Sequence, residues 1–154
     1  MTSPSIYLDY NSSTPVDPKV LESMISFLKD DFGNPSSQGH PWGWAADKAV
    51  NTARSQVANL IGCDNKEITF TSGATESNNW VLFGLIHHLQ RKSPNEKIHI
   101  ISCEIEHNSI LNSLKYIQEL GVEVDFLKVN KQGLVSVDDV KAKIKPNTRL
   151  ISIM

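Results

Sequence analysis

Residues 67–79 read EITFTSGATESNN, and this stretch decides the class of fold. The residues Glu67–Phe70 have the composition of a short strand. The small and hydroxyl-bearing residues from Thr71 to Thr75 then predict a tight turn. After the turn, apolar residues recur at helical spacing, at Leu82, Leu85, Ile86 and Leu89. The stretch is therefore predicted to lead from a strand through a turn into a helix.

The same alternation continues toward the C-terminus. Further strands are predicted at Ile98–Ile101, Val122–Leu127 and Leu150–Met154. Helices are predicted between them, from apolar residues at Ile110, Leu114 and Ile117 and from a capping box at Ser136–Asp139. Strands that alternate with helices of this length are typical of βαβ units. The sequence thus predicts an α/β fold with a mostly parallel sheet flanked by helices.

The first 62 residues follow a different plan. They are predicted to form one strand and two helices, at Ile6–Leu8, Asp17–Lys29 and Trp42–Ile61. Gly62 follows the second helix, in the position where a glycine commonly ends a helix. We therefore divide the sequence into an N-terminal segment, residues 1–62, and an α/β segment, residues 63–154.

Composition and charge exclude several classes of function. The 154 residues carry 15 basic and 17 acidic side chains, a net charge of −2, so no nucleic-acid-binding surface is expected. No apolar run approaches the roughly 20 residues of a membrane span. The two cysteines, Cys63 and Cys103, are too few for a disulfide framework, and the N-terminus does not resemble a secretory signal. A cytoplasmic protein is expected.

The sequence ends inside its last predicted strand, at Met154. A parallel strand needs neighbouring strands and cover on both faces. We therefore expect the chain to be a fragment of a longer protein, truncated at its C-terminal end.

The turn at Gly73, Ala74 and Thr75 is the first candidate site. Ligands of parallel sheets bind beyond the carboxyl ends of the strands, and the N–H groups at the start of a helix lack partners within that helix. Gly73 allows unusual backbone dihedrals, and Thr75 adds a hydroxyl. The pattern is that of a phosphate-binding turn without a Walker A ending. The alternative is a helix N-terminus that binds nothing.

His107 is the second candidate, because it follows another predicted strand and precedes a helix. A histidine in this place can offer an aromatic face, an acid–base group or a metal ligand. No second histidine or cysteine stands at a ligand spacing from it, so a metal site is not expected. The alternative is a solvated histidine in a helix-capping loop.

With these two loops, the sequence resembles the N-terminal part of the cysteine desulfurases, within the class-V aminotransferase family. Segments that match the family's motifs occur in order at Tyr7–Asn11 with Thr14-Pro15, Phe32–Ser37, Thr71–Asn78, Glu106-His107 and Leu150–Met154. The resemblance covers nearly the whole chain. It implies the N-terminal half of the large domain of a fold-type I transferase, with residues 1–62 near the active-site mouth and the dimer interface.

The resemblance also implies a cofactor and a role for each candidate residue. The cofactor is pyridoxal 5′-phosphate (PLP), whose phosphate would be held by Gly73, Ala74 and Thr75. His107 would stack on the pyridine ring and take part in proton transfer, as the catalytic residue of this segment. No metal is implied.

The implied activity converts L-cysteine to L-alanine and an enzyme persulfide, in a homodimer that supplies sulfur to acceptor or scaffold proteins for iron–sulfur clusters and tRNA thiolation. The family's Schiff-base lysine and persulfide-forming cysteine have no counterpart in these 154 residues, so the isolated chain is expected to be inactive. Three alternatives remain open: a selenocysteine lyase of the same family, a non-catalytic binding or interaction module, and a nucleotide-binding α/β domain. The last of these lacks a Gly-x-Gly-x-x-Gly fingerprint.

Overall fold

A computed structural model describes residues 5–154 of the chain. The described residues form, in order, α1 (Pro18–Lys29), α2 (Pro41–Ile61), a 3-10 turn (Asn65–Glu67), α3 (Ala74–Lys92), β1 (His99–Cys103), α4 (Asn108–Glu119), β2 (Glu123–Leu127), α5 (Val137–Lys143) and β3 (Thr148–Ile151). They divide into two compact units, one that ends at Thr69 and one that runs from Phe70 to Met154. The sequence-based division into residues 1–62 and 63–154 concerns the domains of the whole protein and stays a prediction.

The helices of the first unit begin and end where local chemistry directs them. The carboxylate of Asp17 accepts a 2.8 Å hydrogen bond from the Lys19 N–H, which caps α1. α2 ends at Gly62, whose φ of 73° is in the left-handed region. Both helices and the role of Gly62 are confirmed.

The second unit is built on a parallel sheet with strand order β2-β1-β3. β1 is central, and Ile101 pairs with Asp125 on one side and with Ile151 on the other. The ladder continues past β3, because the Ser152 N–H donates to the Ile101 carbonyl at 2.9 Å. The predicted parallel sheet flanked by helices is thereby confirmed.

Neighbouring residues of β1 face opposite sides of the sheet and belong to two separate cores. Ile100 lies in the larger core, which α3 and α4 complete with Leu82, Ile86, Leu114 and Ile117. The smaller core contains Ile101, Cys103 and Leu127, with Val140 of α5 packed against it. α3 and α4 are thus fixed on one face of the sheet by buried apolar contacts.

At its amino end, the sheet is tied together by a polar network. Buried His99 makes hydrogen bonds to Thr148 Oγ1 at 2.8 Å and to Asp125 Oδ2 at 3.2 Å, which links all three strands. Burial raises the pKa of Asp125, but the hydrogen bond and charge of Lys145, with smaller contributions from Lys143 and His99, lower it below its usual value. The carboxylate therefore stays charged within the network.

Two of the predicted strands are wrong. Ile6–Leu8 is irregular, and Glu67–Phe70 divides into the end of the 3-10 turn and a segment without regular secondary structure. A capping box, in which Asp64 and Glu67 exchange hydrogen bonds, turns the backbone at the start of Glu67–Phe70. A strand also needs a partner for its N–H and C=O groups, and no described strand pairs with either segment.

Within residues 5–154, no helix is long and apolar enough to span a membrane.

Candidate functional site

The first turn of α3 exposes three backbone N–H groups. α3 begins at Ala74, and Gly73 precedes it in an extended conformation, with φ 161° and ψ −179°, and without a side-chain cap. The N–H groups of Ala74, Thr75 and Glu76 have no hydrogen-bond partner among the described residues. Gly73 is extended rather than left-handed, so the unusual dihedrals expected of it are not needed here. The turn nevertheless presents free donors at the positive end of a helix.

Hydrogen bonds between residues of the turn hold its shape. The N–H and the hydroxyl of Ser72 both donate to Glu76 Oε2, each at 2.6 Å. The side-chain and then the backbone hydrogen bond from Ser72 lower the pKa of Glu76, against a small effect of burial. Thr71 Oγ1 and Ser77 Oγ are 2.7 Å apart, which closes a second bridge across the turn. These polar side chains bond to one another and leave the first-turn N–H groups open.

His107 begins the neighbouring helix, four residues after the end of β1. Its backbone is extended at φ −63° and ψ 151°, and its Nδ1 accepts a 3.1 Å hydrogen bond from the Ser109 N–H. The Ser109 hydroxyl lies 2.8 Å from the same nitrogen. The imidazole is exposed, so it is a capping residue that remains accessible to a ligand.

Two hydrogen bonds join the beginnings of α3 and α4. Asn78 Nδ2 donates to Ser109 Oγ at 2.9 Å, and Ser113 Oγ donates to Asn79 Oδ1 at 2.9 Å. The second turn of α3 is thereby fastened to the first turn of α4. Both helix N-termini consequently point toward the carboxyl end of β1, which is where parallel sheets bind ligands.

A concave surface adjoins this junction. A cavity of about 270 Å³ lies beside Asn78, between the two helices and β3. Its lining is mostly apolar and includes Leu82, Ile110, Leu150 and Ser152. Two of its lining residues, Asn78 and Ile110, lie on the two helices whose starts carry the free N–H groups and His107, and a mostly apolar lining is the usual composition of a cofactor site.

The predicted site residues thus lie at the starts of α3 and α4. The residues that connect these two helix starts, Asn78 and Ser109, were not predicted from the sequence. Asn78 and Ser109 are 31 positions apart, and no periodic pattern indicates that they touch. Only Ser109 has a local signal, because a serine in the first turn of a helix can bond to groups a few residues away.

The available donors fit an anionic ligand with an aromatic ring better than they fit a metal ion. Free N–H groups and a hydroxyl bind phosphate oxygens, whereas cations require carboxylates, thiolates or several imidazoles. Over the described part of the chain, no three such residues cluster as metal ligands. Cys103 is buried at the end of β1, with its Sγ 3.8 Å from Glu106 Oε1, and Cys63 is half-buried.

Comparison with known proteins gives a consistent result. The sequence model of the Aminotransferase class-V family matches residues 6–154. The chain is 52% identical over 148 residues to a mitosomal cysteine desulfurase of Encephalitozoon cuniculi, which is 96% of this chain and 34% of that protein. It is 44% identical to the cysteine desulfurase IscS of Rickettsia typhi, over 97% of this chain and 35% of the relative.

Solved structures agree with the sequence matches. A structure named as a NifS-like protein superposes with a TM-score of 0.89 at 37% identity and covers 97% of this chain and 40% of its own. Another, named as SspA in complex with cysteine, has a TM-score of 0.85 at 40% identity, over 97% of this chain and 42% of its own. The chain spans about a third of the length of the curated relatives it matches.

Proposed function

Because the chain belongs to the class-V aminotransferase family, whose members depend on PLP, we propose that it is the N-terminal, cofactor-holding part of a cysteine desulfurase. The whole protein would convert L-cysteine to L-alanine and an enzyme persulfide. Relatives named cysteine desulfurase match nearly all of the chain, and a similar structure was solved in complex with cysteine. Both findings support the proposed substrate.

The free N–H groups of Ala74 and Thr75 carry the proposal. Donors at the start of a helix attract a phosphate, and the helix dipole contributes about 0.3–1 kcal/mol, or about 2 kcal/mol when partly buried. The Thr75 side chain is exposed beside them. We assign the cofactor phosphate to Gly73, Ala74 and Thr75.

His107 is assigned to the cofactor ring. Its imidazole is exposed on the helix that Asn78 fastens to α3, so the phosphate-holding turn and an aromatic acid–base group share one end of the sheet. PLP supplies an electron sink for the carbon skeleton of a bound amino acid. The contribution of this chain is to bind the phosphate, to contact the ring and to move a proton at His107.

The partners and compartment are proposed on the same basis. We assign the whole protein to a homodimer that transfers sulfur to acceptor or scaffold proteins, without direct contact with nucleic acid or membrane. The cytoplasm is its proposed compartment, although relatives include mitosomal and mitochondrial proteins. Subcellular fractionation of the source cells tests the compartment.

The experiment compares the 154-residue chain with the protein at the length of its relatives, each supplied with PLP and L-cysteine. We expect alanine release from the longer protein and none from the chain alone. In the longer protein, Thr75→Ala should weaken PLP retention roughly tenfold, because a hydrogen bond to a charged group is worth about 1.5–3 kcal/mol. His107→Gln should lower the rate of alanine release.

Thr52→Ala is the matched control, because the Thr52 hydroxyl donates to the Lys48 carbonyl within its own helix and to no other group in residues 5–154. It should retain PLP like the parent. The proposal fails if the longer protein releases no alanine, or if Thr75→Ala and Thr52→Ala retain PLP equally. Release of selenium from selenocysteine, with no reaction of cysteine, would instead assign the protein to the selenocysteine lyases.

A further inference from the structure

The ring of His107 is held by two contacts to one residue. The Ser109 backbone N–H lies 3.1 Å from Nδ1, and the Ser109 hydroxyl lies 2.8 Å from it. A backbone N–H can only donate, so Nδ1 must be the acceptor. A neutral imidazole that accepts at Nδ1 carries its proton at Nε2.

The direction of the second contact follows from the first, because an Nδ1 that accepts from the backbone N–H has no proton to donate to the Ser109 hydroxyl; Asn78 is a donor to that hydroxyl. Its Nδ2 donates to Ser109 Oγ at 2.9 Å, which occupies a lone pair of that oxygen. The hydroxyl keeps its own proton, and Nδ1 is the acceptor within reach. The order of donation therefore runs from Asn78 to Ser109 and from Ser109 to His107.

The opposite nitrogen is left available. His107 is exposed, and its Nε2 has no hydrogen-bond partner in the part of the chain that the structure describes. The ring therefore presents one N–H, at Nε2, away from the capping contacts. A group placed there for proton transfer needs a defined tautomer, because only one of the two ring nitrogens can hold the transferable proton.

We propose that Asn78 and Ser109 are positioning residues that hold His107 in the Nε2–H tautomer, with that proton directed to a bound ligand. The tautomer follows from the hydrogen bonds alone, whereas its use in catalysis rests on the proposed function. Asn78 belongs to the helix that offers the phosphate donors, so one side chain links the phosphate-binding helix to the state of the imidazole.

A neighbouring contact provides the control. Ser113 Oγ lies 2.9 Å from Asn79 Oδ1 and 2.9 Å from the Ser109 carbonyl, and its single proton is shared between these two acceptors. Ser113→Ala thus removes a bridge between α3 and α4 of the same chemistry without touching the imidazole. A comparison of Ser113→Ala with Ser109→Ala therefore separates the effect of losing a contact between the helices from the effect of losing the hydroxyl that sets the tautomer.

The test is ¹⁵N NMR of histidine rings in the full chain at about pH 8, above the ordinary titration range of histidine. Five histidines give signals, and the set that disappears in His107→Gln belongs to His107. We expect the parent ring to be in the Nε2–H form. Ser109→Ala should increase the Nδ1–H to Nε2–H ratio roughly fivefold, as expected for the loss of one neutral hydrogen bond.

Asn78→Asp should also increase the Nδ1–H to Nε2–H ratio. The new carboxylate would accept the Ser109 hydroxyl proton, so that a lone pair of the Ser109 oxygen faces Nδ1 and accepts a proton there. Ser109→Thr keeps the hydroxyl and should restore the parent ratio, and Ser113→Ala should not change it. A parent ring in the Nδ1–H form, or equal ratios in Ser109→Ala and Ser113→Ala, would overturn the proposal.

The same samples separate this proposal from the proposed function. The amide signals of Ala74 and Thr75 report phosphate binding without involving the imidazole. If these amide signals do not shift when a phosphate ester is added, while the variants change the tautomer ratio as expected, the proposed function fails and the positioning role stands. The reverse result overturns only the positioning role.

Discussion

Glu76 shapes the turn to which we assign the phosphate, although its own side chain is not assigned to the ligand. Its carboxylate accepts both donors of Ser72, at 2.6 Å each. Without this contact, the Ser72 N–H and hydroxyl would be two further donors at the helix start. The hydrogen bonds also keep the negative charge on the Ser72 side of the turn, so that Ala74 and Thr75 remain available to an anion.

The pKa of Glu76 leads to a pH prediction. The hydrogen bonds from Ser72 lower this pKa in the folded state, so the unfolded chain binds more protons in the acidic range. The contribution of Glu76 to stability is present above the ordinary carboxylate pKa and is lost as the pH falls through the lowered value. Glu76→Gln should remove this part of the pH dependence, measured as the free energy of unfolding against pH.

Ser72→Ala supplies the control for this prediction. It removes the hydroxyl, the largest cause of the lowered pKa, but keeps the backbone N–H. The change in the free energy of unfolding caused by Glu76→Gln should therefore depend less on pH when Ser72→Ala is also present. Parallel pH profiles of the parent and Glu76→Gln would contradict the assigned role of the carboxylate.

At the scale of single residues, the candidate site residues could be predicted from the sequence, whereas the residues that contact them could not. Gly73, Ala74 and Thr75 lie in a predicted turn, and His107 follows a predicted strand, so a local pattern was enough to identify all four as candidates. The Asn78–Ser109 contact joins residues of different helices, and it exists only because buried apolar residues pack those helices together. A contact of this kind depends on the fold, so a local pattern cannot reveal it.

At the scale of elements, the helices were predicted well because their signals are local. α1 and α2 have apolar periodicity, an initial cap or proline and, for α2, a terminal glycine. The segments Ile6–Leu8 and Glu67–Phe70 have strand-like composition, but strand formation depends on pairing with distant residues. Composition alone therefore predicted two strands that the described chain does not form.

Gly62 provides the test at this scale. An l-amino acid other than glycine pays about 1–2 kcal/mol for the left-handed conformation that Gly62 adopts at φ 73°. A Cβ atom at this position would meet no atom within 4 Å, so the cost arises in the backbone and not from a clash. Gly62→Ala should lower the free energy of unfolding by about that amount, measured by urea denaturation.

Gly39→Ala is the matched control, because its Cβ would also meet nothing within 4 Å and its φ lies outside the left-handed region. Both substitutions reduce the freedom of the unfolded chain equally, so their difference isolates the left-handed conformation. Equal stabilities of Gly62→Ala and Gly39→Ala would show that the end of α2 does not require a glycine.

At the scale of the whole molecule, each unit has a distinct character. In the unit from Phe70 to Met154, two cores lie on opposite faces of the sheet, and the larger one fixes α3 and α4, the helices that bear the candidate site. In the unit that ends at Thr69, α1 has no buried residue and exposes apolar side chains such as Met24 and Phe27. The candidate site therefore stands on the unit with the more extensive core, which gives its geometry a rigid support.

The central claim is that the first turn of α3 binds the phosphate of a vitamin B6 ester. The most direct measurement is a titration of the ¹⁵N-labelled chain with pyridoxamine 5′-phosphate, followed by its amide spectrum. This amine cannot react with lysines as an aldehyde does, and pyridoxamine without phosphate is its control. We predict saturable shifts at Ala74, Thr75 and Glu76 with the ester and none with pyridoxamine. Saturable binding of the ester that leaves these three amides unmoved would contradict the account.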